Sequence, residues 1–179
     1  SNGELWILTE NNIARFDRGQ NRFTFFNQSA EENNHRAMTL TKEQKIIVSS
    51  GSGLFEFDPQ TGNSVKLLEA TEYPISTETV TLTKKVENDI WVTGTGGAFR
   101  YSMISKEVDV RFTLNESTDQ AWDVHQMEDQ SILLNSNKGF FRFDPDTFII
   151  SNFGPVFDAS TERANLVYEG NNWEEILIG

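Results

Sequence analysis

The sequence of 179 residues contains no cysteine and only two histidines. The absence of cysteine excludes disulfides, thiolate metal sites and cysteine nucleophiles. No run of about 18 apolar residues occurs, so we expect no insertion of this segment into a membrane. Basic residues are outnumbered, with 15 Lys and Arg against 27 Asp and Glu, and the net charge is −12. Because such a surface repels phosphate groups, we expect no nucleic-acid partner.

What the sequence does contain is a repeat. Four segments align without a gap: ELWILTENNIARFD (4–17), KIIVSSGSGLFEFD (45–58), DIWVTGTGGAFRYS (89–102) and SILLNSNKGFFRFD (131–144). Their equivalent first positions are Trp6, Ile47, Trp91 and Leu133, spaced 41, 44 and 42 residues apart. Ten residues later each copy has an aromatic residue: Phe16, Phe57, Tyr101 and Phe143. A fifth copy begins near Leu177. Repeats of this length are typical of stacked structural units.

Each copy predicts four short strands, which we label a to d from the inside outward. The aligned segments hold strands b and c, a short apolar stretch precedes them as strand a, and another follows as strand d. Turn residues such as Pro59 and Gly62 separate strands c and d. Since helix-period stretches are missing, we predict an all-β fold, a β-propeller segment of about four blades. The predicted blades are 4–27 (strands b to d only), 36–69, 79–113, 121–154 and the start of a fifth at 164–179.

The incomplete first blade leaves two architectures. Strand a of the fifth copy could complete blade 1 and close a four-bladed ring. We favour instead an open arc of a larger, seven-bladed propeller, and we expect residues 1–179 to be one propeller segment of a longer protein. An open arc exposes apolar blade faces, so we expect self-association.

The Gly-rich stretch Gly94-Thr95-Gly96-Gly97 suggests a phosphate-binding loop. Such a loop requires a following helix, whose N-terminal N–H groups point at the anion. Here the residues that follow, AFRYS, have the pattern of another strand. We therefore predict a hairpin turn.

The equivalent residues Phe16, Phe57, Tyr101 and Phe143 form an aromatic column. We interpret this column as packing between blades.

The repeat resembles the two-component regulator propeller repeat. The third copy carries the matching residues Trp91, Thr93, Gly94, Gly97, Phe99, Arg100 and Tyr101. The second copy keeps Gly51, Gly53, Leu54, Phe55, Phe57, Asp58, Pro59 and Gly62, and the fourth keeps Gly139, Phe141, Arg142, Phe143, Asp144 and Pro145. The first copy departs from it, with Asn11-Asn12 where Gly is expected. The resemblance covers about residues 4–154.

This resemblance implies a non-enzymatic segment of the periplasmic, extracytoplasmic sensor region of a membrane-bound receptor, often a hybrid histidine kinase. Any kinase or cyclase activity would lie elsewhere in the parent protein. A protein-interaction scaffold is the first alternative. A propeller lyase or glycosidase is the second, and it would need paired carboxylates, for which the acidic candidates are Asp119, Asp123 and Asp158.

Ligand-binding residues are sought in the d–a loops, because these differ between copies. They offer stacking and hydrogen-bonding groups that suit a small polar ligand such as a saccharide. The candidates are Asn34, His35, Arg36, Tyr73, Asp119 and Trp122, with Arg163 in the last loop. Metal-site spacing is absent around His35 and His125, so we expect no metal, no cofactor and no catalytic residue.

Overall fold

The computed structural model describes residues 5–27, 34–41, 43–76, 80–86, 89–114, 118–152, 167–169 and 176–178. These residues form β-strands and no α-helix, with one 3₁₀ turn at Ala70–Glu72. Within them, no helix has the length and hydrophobicity needed to cross a membrane.

Each repeat forms its own antiparallel sheet, in which consecutive strands pair as a meander. Blade 1 contains β1 (Leu5–Leu8), β2 (Asn12–Asp17) and β3 (Arg22–Asn27). Blade 2 contains β4 (His35–Leu40), β5 (Ile46–Ser50), β6 (Gly53–Phe57) and β7 (Ser64–Glu69). Blade 3 contains β8 (Val80–Val86), β9 (Asp89–Gly94), β10 (Gly97–Ser102) and β11 (Glu107–Thr113). Blade 4 contains β12 (Ala121–Gln126), β13 (Ile132–Ser136), β14 (Gly139–Asp144) and β15 (Ile149–Asn152). A last pair consists of β16 (Val167–Glu169) and β17 (Ile176–Ile178).

Neighbouring blades meet through the innermost described strand of each. Strand β8 contacts both β4 and β12, and β1 contacts β4. Sheets that converge on their first strands in this way form the blades of a propeller. The predicted all-β propeller segment is therefore confirmed.

Among the described residues, the sheet of blade 1 has three strands, β1 to β3. In the described part of the chain β16 pairs with β17, and β1 is the edge strand of a three-stranded sheet. Pairing of β16 with β1, which would close a four-bladed ring, is absent from these strands. This arrangement agrees with the predicted open arc.

The core lies between blades and contains three apolar clusters. The cluster between blades 1 and 2 consists of Ile13, Ile46, Val48 and Phe57. Later members of the aromatic column pack towards the preceding blade, as predicted, and each is at most 1% exposed: Phe57, Tyr101 and Phe143. Trp91 of blade 3 meets Phe143 edge-on, with ring centroids 5.5 Å apart. Full burial of each such side chain contributes about 1.5–3 kcal/mol to stability.

The turn between strands c and d has the same construction in blades 2, 3 and 4. The carbonyl of its first residue accepts the N–H of the residue four positions later, at 2.8–2.9 Å: Asp58 and Gly62, Ser102 and Lys106, Asp144 and Phe148. The later residue of each pair has a positive φ, from 58° at Phe148 to 74° at Gly62. The backbone N–H groups of Thr147 and Asp146 hold the pKa of the Asp144 carboxyl below its usual value. The turn is thus closed by both the carbonyl and the side chain of its first residue.

The Gly-rich stretch of blade 3 is a hairpin turn, as predicted. Strand β10 follows it directly, and Gly96 and Gly97 have φ values of 93° and 135°. A Cβ on Gly97 would lie 1.9 Å from the carbonyl oxygen of Phe112. Glycine is therefore required here by the close approach of β11.

Candidate functional site

One end of the propeller brings together its most varied segments. We call this end the rim. It consists of the b–c turns (9–11, 51–52, 95–96 and 137–138) and the segments that lead into the inner strands (34–35, 73–76 and 118–120). All six predicted ligand-binding residues lie in these segments or in the first two residues of the strand that follows them.

Backbone hydrogen bonds run across the rim from blade to blade. The N–H of Ser76, in the segment that leads into blade 3, donates to the carbonyl of Thr95 in the b–c turn of that blade. Thr95 in turn pairs with Gln120, which precedes blade 4, as an isolated bridge. Gln120 then accepts the N–H of Asn137 at 3.0 Å. The rim is thus a bonded scaffold, and a side chain can reach a ligand only where this scaffold leaves it exposed.

His35 is part of that scaffold. It begins β4 and is 7% exposed. Its backbone N–H donates to the carbonyl of Glu10 at 2.9 Å, and its Nδ1 lies 3.0 Å from the carbonyl oxygen of Thr9. The imidazole therefore links the inner strand of blade 2 to the b–c turn of blade 1.

Asp119 serves the corresponding place between blades 3 and 4. Its carbonyl accepts the N–H of Gly96 at 2.8 Å. Its carboxylate lies 3.1 Å from Nζ of Lys138 and 3.3 Å from Nδ2 of Asn137. The residue is only 1% exposed, so a buried carboxylate is neutralised by a lysine that remains half exposed.

Tyr73 and Asn34 are packing residues of the rim. The Tyr73 ring belongs to the core between blades 2 and 3, 4.8 Å from the ring centroid of Phe99. Its hydroxyl has no hydrogen-bond partner among the described residues, and burial raises the pKa of its phenol. Asn34 has a φ of 71° and accepts the N–H of Gly51 at 3.0 Å.

Arg36 and Trp122 hold a different position. In each complete blade the pairing of the inner strand with strand b skips one residue, which forms a β-bulge: Arg36 in β4, Thr81 in β8 and Trp122 in β12. A bulge leaves its extra residue outside the ladder and re-aims its side chain. Three equivalent inner positions thus carry three chemically different residues.

Packing on either side of the bulge in β4 explains why the side chain of Arg36 is accessible. His35 bonds to blade 1, whereas Ala37 packs against the cluster between blades 2 and 3. The intervening Arg36 belongs to neither interface and is exposed. Trp122 is half-buried, and its carbonyl accepts the hydroxyl of Thr93 at 3.2 Å. Backbone anchoring of Trp122 therefore fixes the position from which its indole projects.

Sequence reasoning missed Thr81, Asn137 and Lys138. Alignment of the inner strands in register with strand b would have placed Thr81 beside Arg36 and Trp122. Nothing in the sequence pairs Lys138 with Asp119, because the two residues come from different segments of the rim. The predicted candidates Arg163 and Asp158 lie outside the described residues. The described part of the chain holds no group of three side chains suited to a metal ion.

No protein-family model matches the sequence, and no curated protein matches it either. Solved structures share its fold. One is the extracellular domain of a protein described as the hybrid two-component system BT4673 of B. thetaiotaomicron, with a TM-score of 0.75 and 14% identity over 98% of this chain and 24% of that one. Another is the extracellular domain of the hybrid two-component system BT3049 from the same organism. It matches with a TM-score of 0.65 and 16% identity over 83% of this chain and 21% of that one.

An enzyme has the same fold. Virginiamycin B lyase from Staphylococcus aureus matches with a TM-score of 0.65 and 13% identity, over 86% of this chain and 52% of the lyase. The chain thus spans about a quarter of the sensor domains and about half of the lyase. The structural similarity shows a common propeller architecture. Because the sequence identities are low, it shows the fold alone, which sensors and an enzyme share.

Proposed function

We propose that this chain is a non-enzymatic, ligand-binding segment of the extracytoplasmic sensor region of a membrane-bound, two-component-type signalling receptor. The observation that carries the proposal is the repeated bulge, which places unlike residues at equivalent inner positions. The fold shared with two extracellular domains of signalling systems supports the sensory context. The sequence resemblance to two-component regulator propeller repeats points to the same context.

The side chains of Arg36 and Trp122 at two of the bulges suit a small polar ligand of the saccharide type. The indole of Trp122 offers a flat apolar surface for the face of a sugar ring. The guanidinium of Arg36 offers several N–H donors for hydroxyl or carboxylate oxygens. Since the chain has a net charge of −12, a neutral or singly acidic saccharide fits better than a polyanion.

The proposed absence of catalysis rests on how the rim carboxylates are used. Hydrolysis or elimination at a sugar requires a carboxyl group that reaches the substrate. Asp119 is buried and bonded to Lys138 and Asn137. Asp123 accepts the backbone N–H of Val124 at 2.7 Å. Neither arrangement leaves a paired acid and base at the rim.

Titration calorimetry against a panel of mono- and oligosaccharides tests the proposal. We expect one or more sugars to bind the native chain. Trp122→Ala and Arg36→Ala should each weaken binding at least about tenfold, since each removes a direct contact. Arg111→Ala is the matched control, because Arg111 is exposed on the outer strand β11, and it should leave affinity unchanged.

Two results would contradict the proposal. One is equal binding by all variants, which would place the ligand elsewhere. The other is turnover of a sugar by the native chain, which would favour the lyase or glycosidase alternative.

The remaining alternative, an interaction scaffold, is favoured by a single observation. Blade 1 exposes three large apolar side chains, Leu5, Phe23 and Phe25. A surface of this kind binds other protein surfaces rather than sugars.

A further inference from the structure

The end of strand b in blade 3 runs beside the start of the inner strand of blade 4. There the N–H of Gly96 donates to the carbonyl of Asp119 at 2.8 Å, and Thr95 pairs with Gln120 as an antiparallel bridge. We call this line of contacts the seam. It joins two neighbouring blades, and each of them has all four strands in the described part of the chain.

One contact of the seam connects a side chain to the proposed ligand-binding residue of blade 4. The hydroxyl of Thr93, a fully buried residue, donates to the carbonyl of Trp122 at 3.2 Å. This contact keeps the register of the seam, since Thr93 lies two residues before Thr95 and Trp122 lies two residues after Gln120. The threonine side chain thus extends the line of hydrogen bonds beyond the backbone bridge.

Trp122 depends on such an anchor because it is the extra residue of a bulge. The ladder between β12 and β13 passes from Ala121 to Asp123, so it holds no Cα partner for Trp122. A change in the backbone at a bulge re-aims the side chain that the bulge carries. The bond from Thr93 therefore holds, from the neighbouring blade, the residue whose indole we propose as the surface for a sugar ring.

The position of Thr93 in the repeat is chemically different in the earlier blades. Its equivalents are Leu8 in blade 1 and Ser49 in blade 2. Leu8 has no hydroxyl to donate to Arg36, the bulge residue of the blade that follows. The hydroxyl of Ser49 donates to the carbonyl of Ala37 in its own blade, at 3.3 Å. Trp122 is thus held by a hydroxyl of the preceding blade, whereas the residue available to Arg36 cannot form this bond.

We propose that Thr93 is a positioning residue of the ligand site, through which the seam between blades 3 and 4 controls the direction of the Trp122 indole. Its part in binding rests on the proposed function. A ring that is already held in one direction costs a ligand less conformational entropy than a ring that the ligand must first order. A seam that loosens releases the carbonyl of Trp122, so relative movement of blades 3 and 4 regulates affinity at this site.

Fluorine NMR of the whole chain labelled with 5-fluorotryptophan tests this role without any ligand. Trp122→Phe identifies the resonance of Trp122, and Trp6 in blade 1 serves as the internal reference. We expect one narrow Trp122 resonance in the native chain. Thr93→Val keeps the shape of the side chain and removes the hydroxyl, so the Trp122 resonance should shift or broaden while that of Trp6 stays unchanged.

Two further variants separate the hydroxyl bond from a general loss of stability. Thr93→Ser keeps the hydroxyl and should give the native Trp122 resonance. Ser49→Ala is the matched control, because Ser49 holds the equivalent position in blade 2 and is equally buried. It should leave the Trp122 resonance unchanged, and circular dichroism should show native strand content in every variant.

Titration with the same saccharide panel adds a binding measurement. Thr93→Val should weaken binding of the sugars that the native chain binds by about three- to tenfold, and Thr93→Ser should keep their affinity. If no sugar of the panel binds the native chain, the proposed function fails, and the Trp122 resonance still decides whether Thr93 positions the indole.

An unchanged Trp122 resonance in Thr93→Val would overturn the proposal. So would an equal change in Thr93→Ser, which would assign the effect to packing rather than to the hydroxyl. An equal change in Ser49→Ala would show a general loosening of the fold and would overturn it as well. A changed resonance with unchanged sugar affinity would remove Thr93 from the ligand site and would refute its positioning role.

Discussion

The guanidinium carbon of Arg100 in blade 3 lies 5.2 Å from the ring centroid of Phe143 in blade 4. The same carbon lies 5.2 Å from the ring of Phe148. On its other side the guanidinium donates two hydrogen bonds to the carboxylate of Asp109, at 2.9 and 2.8 Å, and lies 3.3 Å from Asp89. One arginine therefore joins the outer part of blade 3 to the aromatic core of blade 4.

Replacement of this arginine should destabilise the fold strongly. Arg100 is 8% exposed, and Arg100→Met would leave two neighbouring carboxylates without their cation. We expect the free energy of unfolding in urea to fall by about 2–3 kcal/mol. Arg142 is the matched control, since it holds the equivalent position but pairs with Asp129 at the surface. Arg142→Met should lower the free energy of unfolding by less than about 1 kcal/mol. Equal losses for the two variants would contradict a role for Arg100 in joining blades 3 and 4.

The glycine of the blade 3 hairpin should not tolerate a side chain. Gly97→Ala places a Cβ against the Phe112 carbonyl at a φ of 135°, so β10 and β11 must separate. We expect a loss of about 3 kcal/mol or more in the free energy of unfolding. Gly62→Ala, at a φ of 74° with nothing within 4 Å of the new Cβ, should cost about 1 kcal/mol. Similar costs at both sites would show that the carbonyl contact is unimportant.

Phe148 should reverse the usual order of alanine and glycine substitutions. Its φ of 58° is unfavourable for any residue with a Cβ. Its ring packs edge-on to Phe143, with the two ring centroids 6.0 Å apart. Phe148→Ala loses the ring and keeps the backbone strain, whereas Phe148→Gly loses the ring and relieves the strain. Thermal unfolding should show the glycine variant to be more stable by about 1 kcal/mol. An alanine variant as stable as the glycine variant would argue against strain in this turn.

Stability above pH 10 should depend on Tyr73. Burial raises the pKa of its phenol above the ordinary value of 10. As pH rises past about 10, the unfolded chain releases this proton while the folded chain retains it, so the free energy of unfolding falls. Tyr73→Phe should reduce that fall by up to about 1.4 kcal/mol per pH unit, and it should change little at neutral pH.

Urea unfolding at a series of pH values measures this effect. Burial, with Glu72 and Glu56 as further causes, also raises the pKa of Tyr101, so Tyr101→Phe should act in the same direction. Parallel pH curves for the native chain and Tyr73→Phe would refute the prediction.

Much of the fold could be predicted from the repeat, because its spacing of 41 to 44 residues is the length of one four-stranded blade. Equivalent residues of the repeat therefore lie on the same side of each sheet. The column containing Phe57, Tyr101 and Phe143 was recognisable, since every copy places an aromatic residue ten positions after the start of strand b. Phe16 follows the rule in its position, although it is only half-buried. Strand ends were less predictable, as at β8, which continues through Lys84 and Lys85 to Val86.

The candidate site was less predictable, because its residues are sorted by contacts between distant segments. His35, Tyr73 and Asp119 have the chemistry of binding residues, yet bonds or packing across blades occupy them. Such contacts join residues 17 or more positions apart and leave no pattern in the chain. Their part in binding stays a prediction, as does that of Asn34. Arg36 and Trp122 stand out only when the bulge is seen, since a skipped residue interrupts the two-residue period that strand prediction relies on.

The bulge in the inner strands has a consequence for how such a chain can change over time. A residue inside a sheet is constrained by its partner across the ladder and by the blade it faces. A residue skipped by the ladder escapes both constraints, so it can be replaced while neighbouring pairs keep their register. Each of the three complete blades therefore carries one inner position outside the ladder, and the residues found there, arginine, threonine and tryptophan, differ in charge, size and polarity. Under the proposed function, single substitutions at these positions change the ligand specificity while the register of the neighbouring strand pairs is kept.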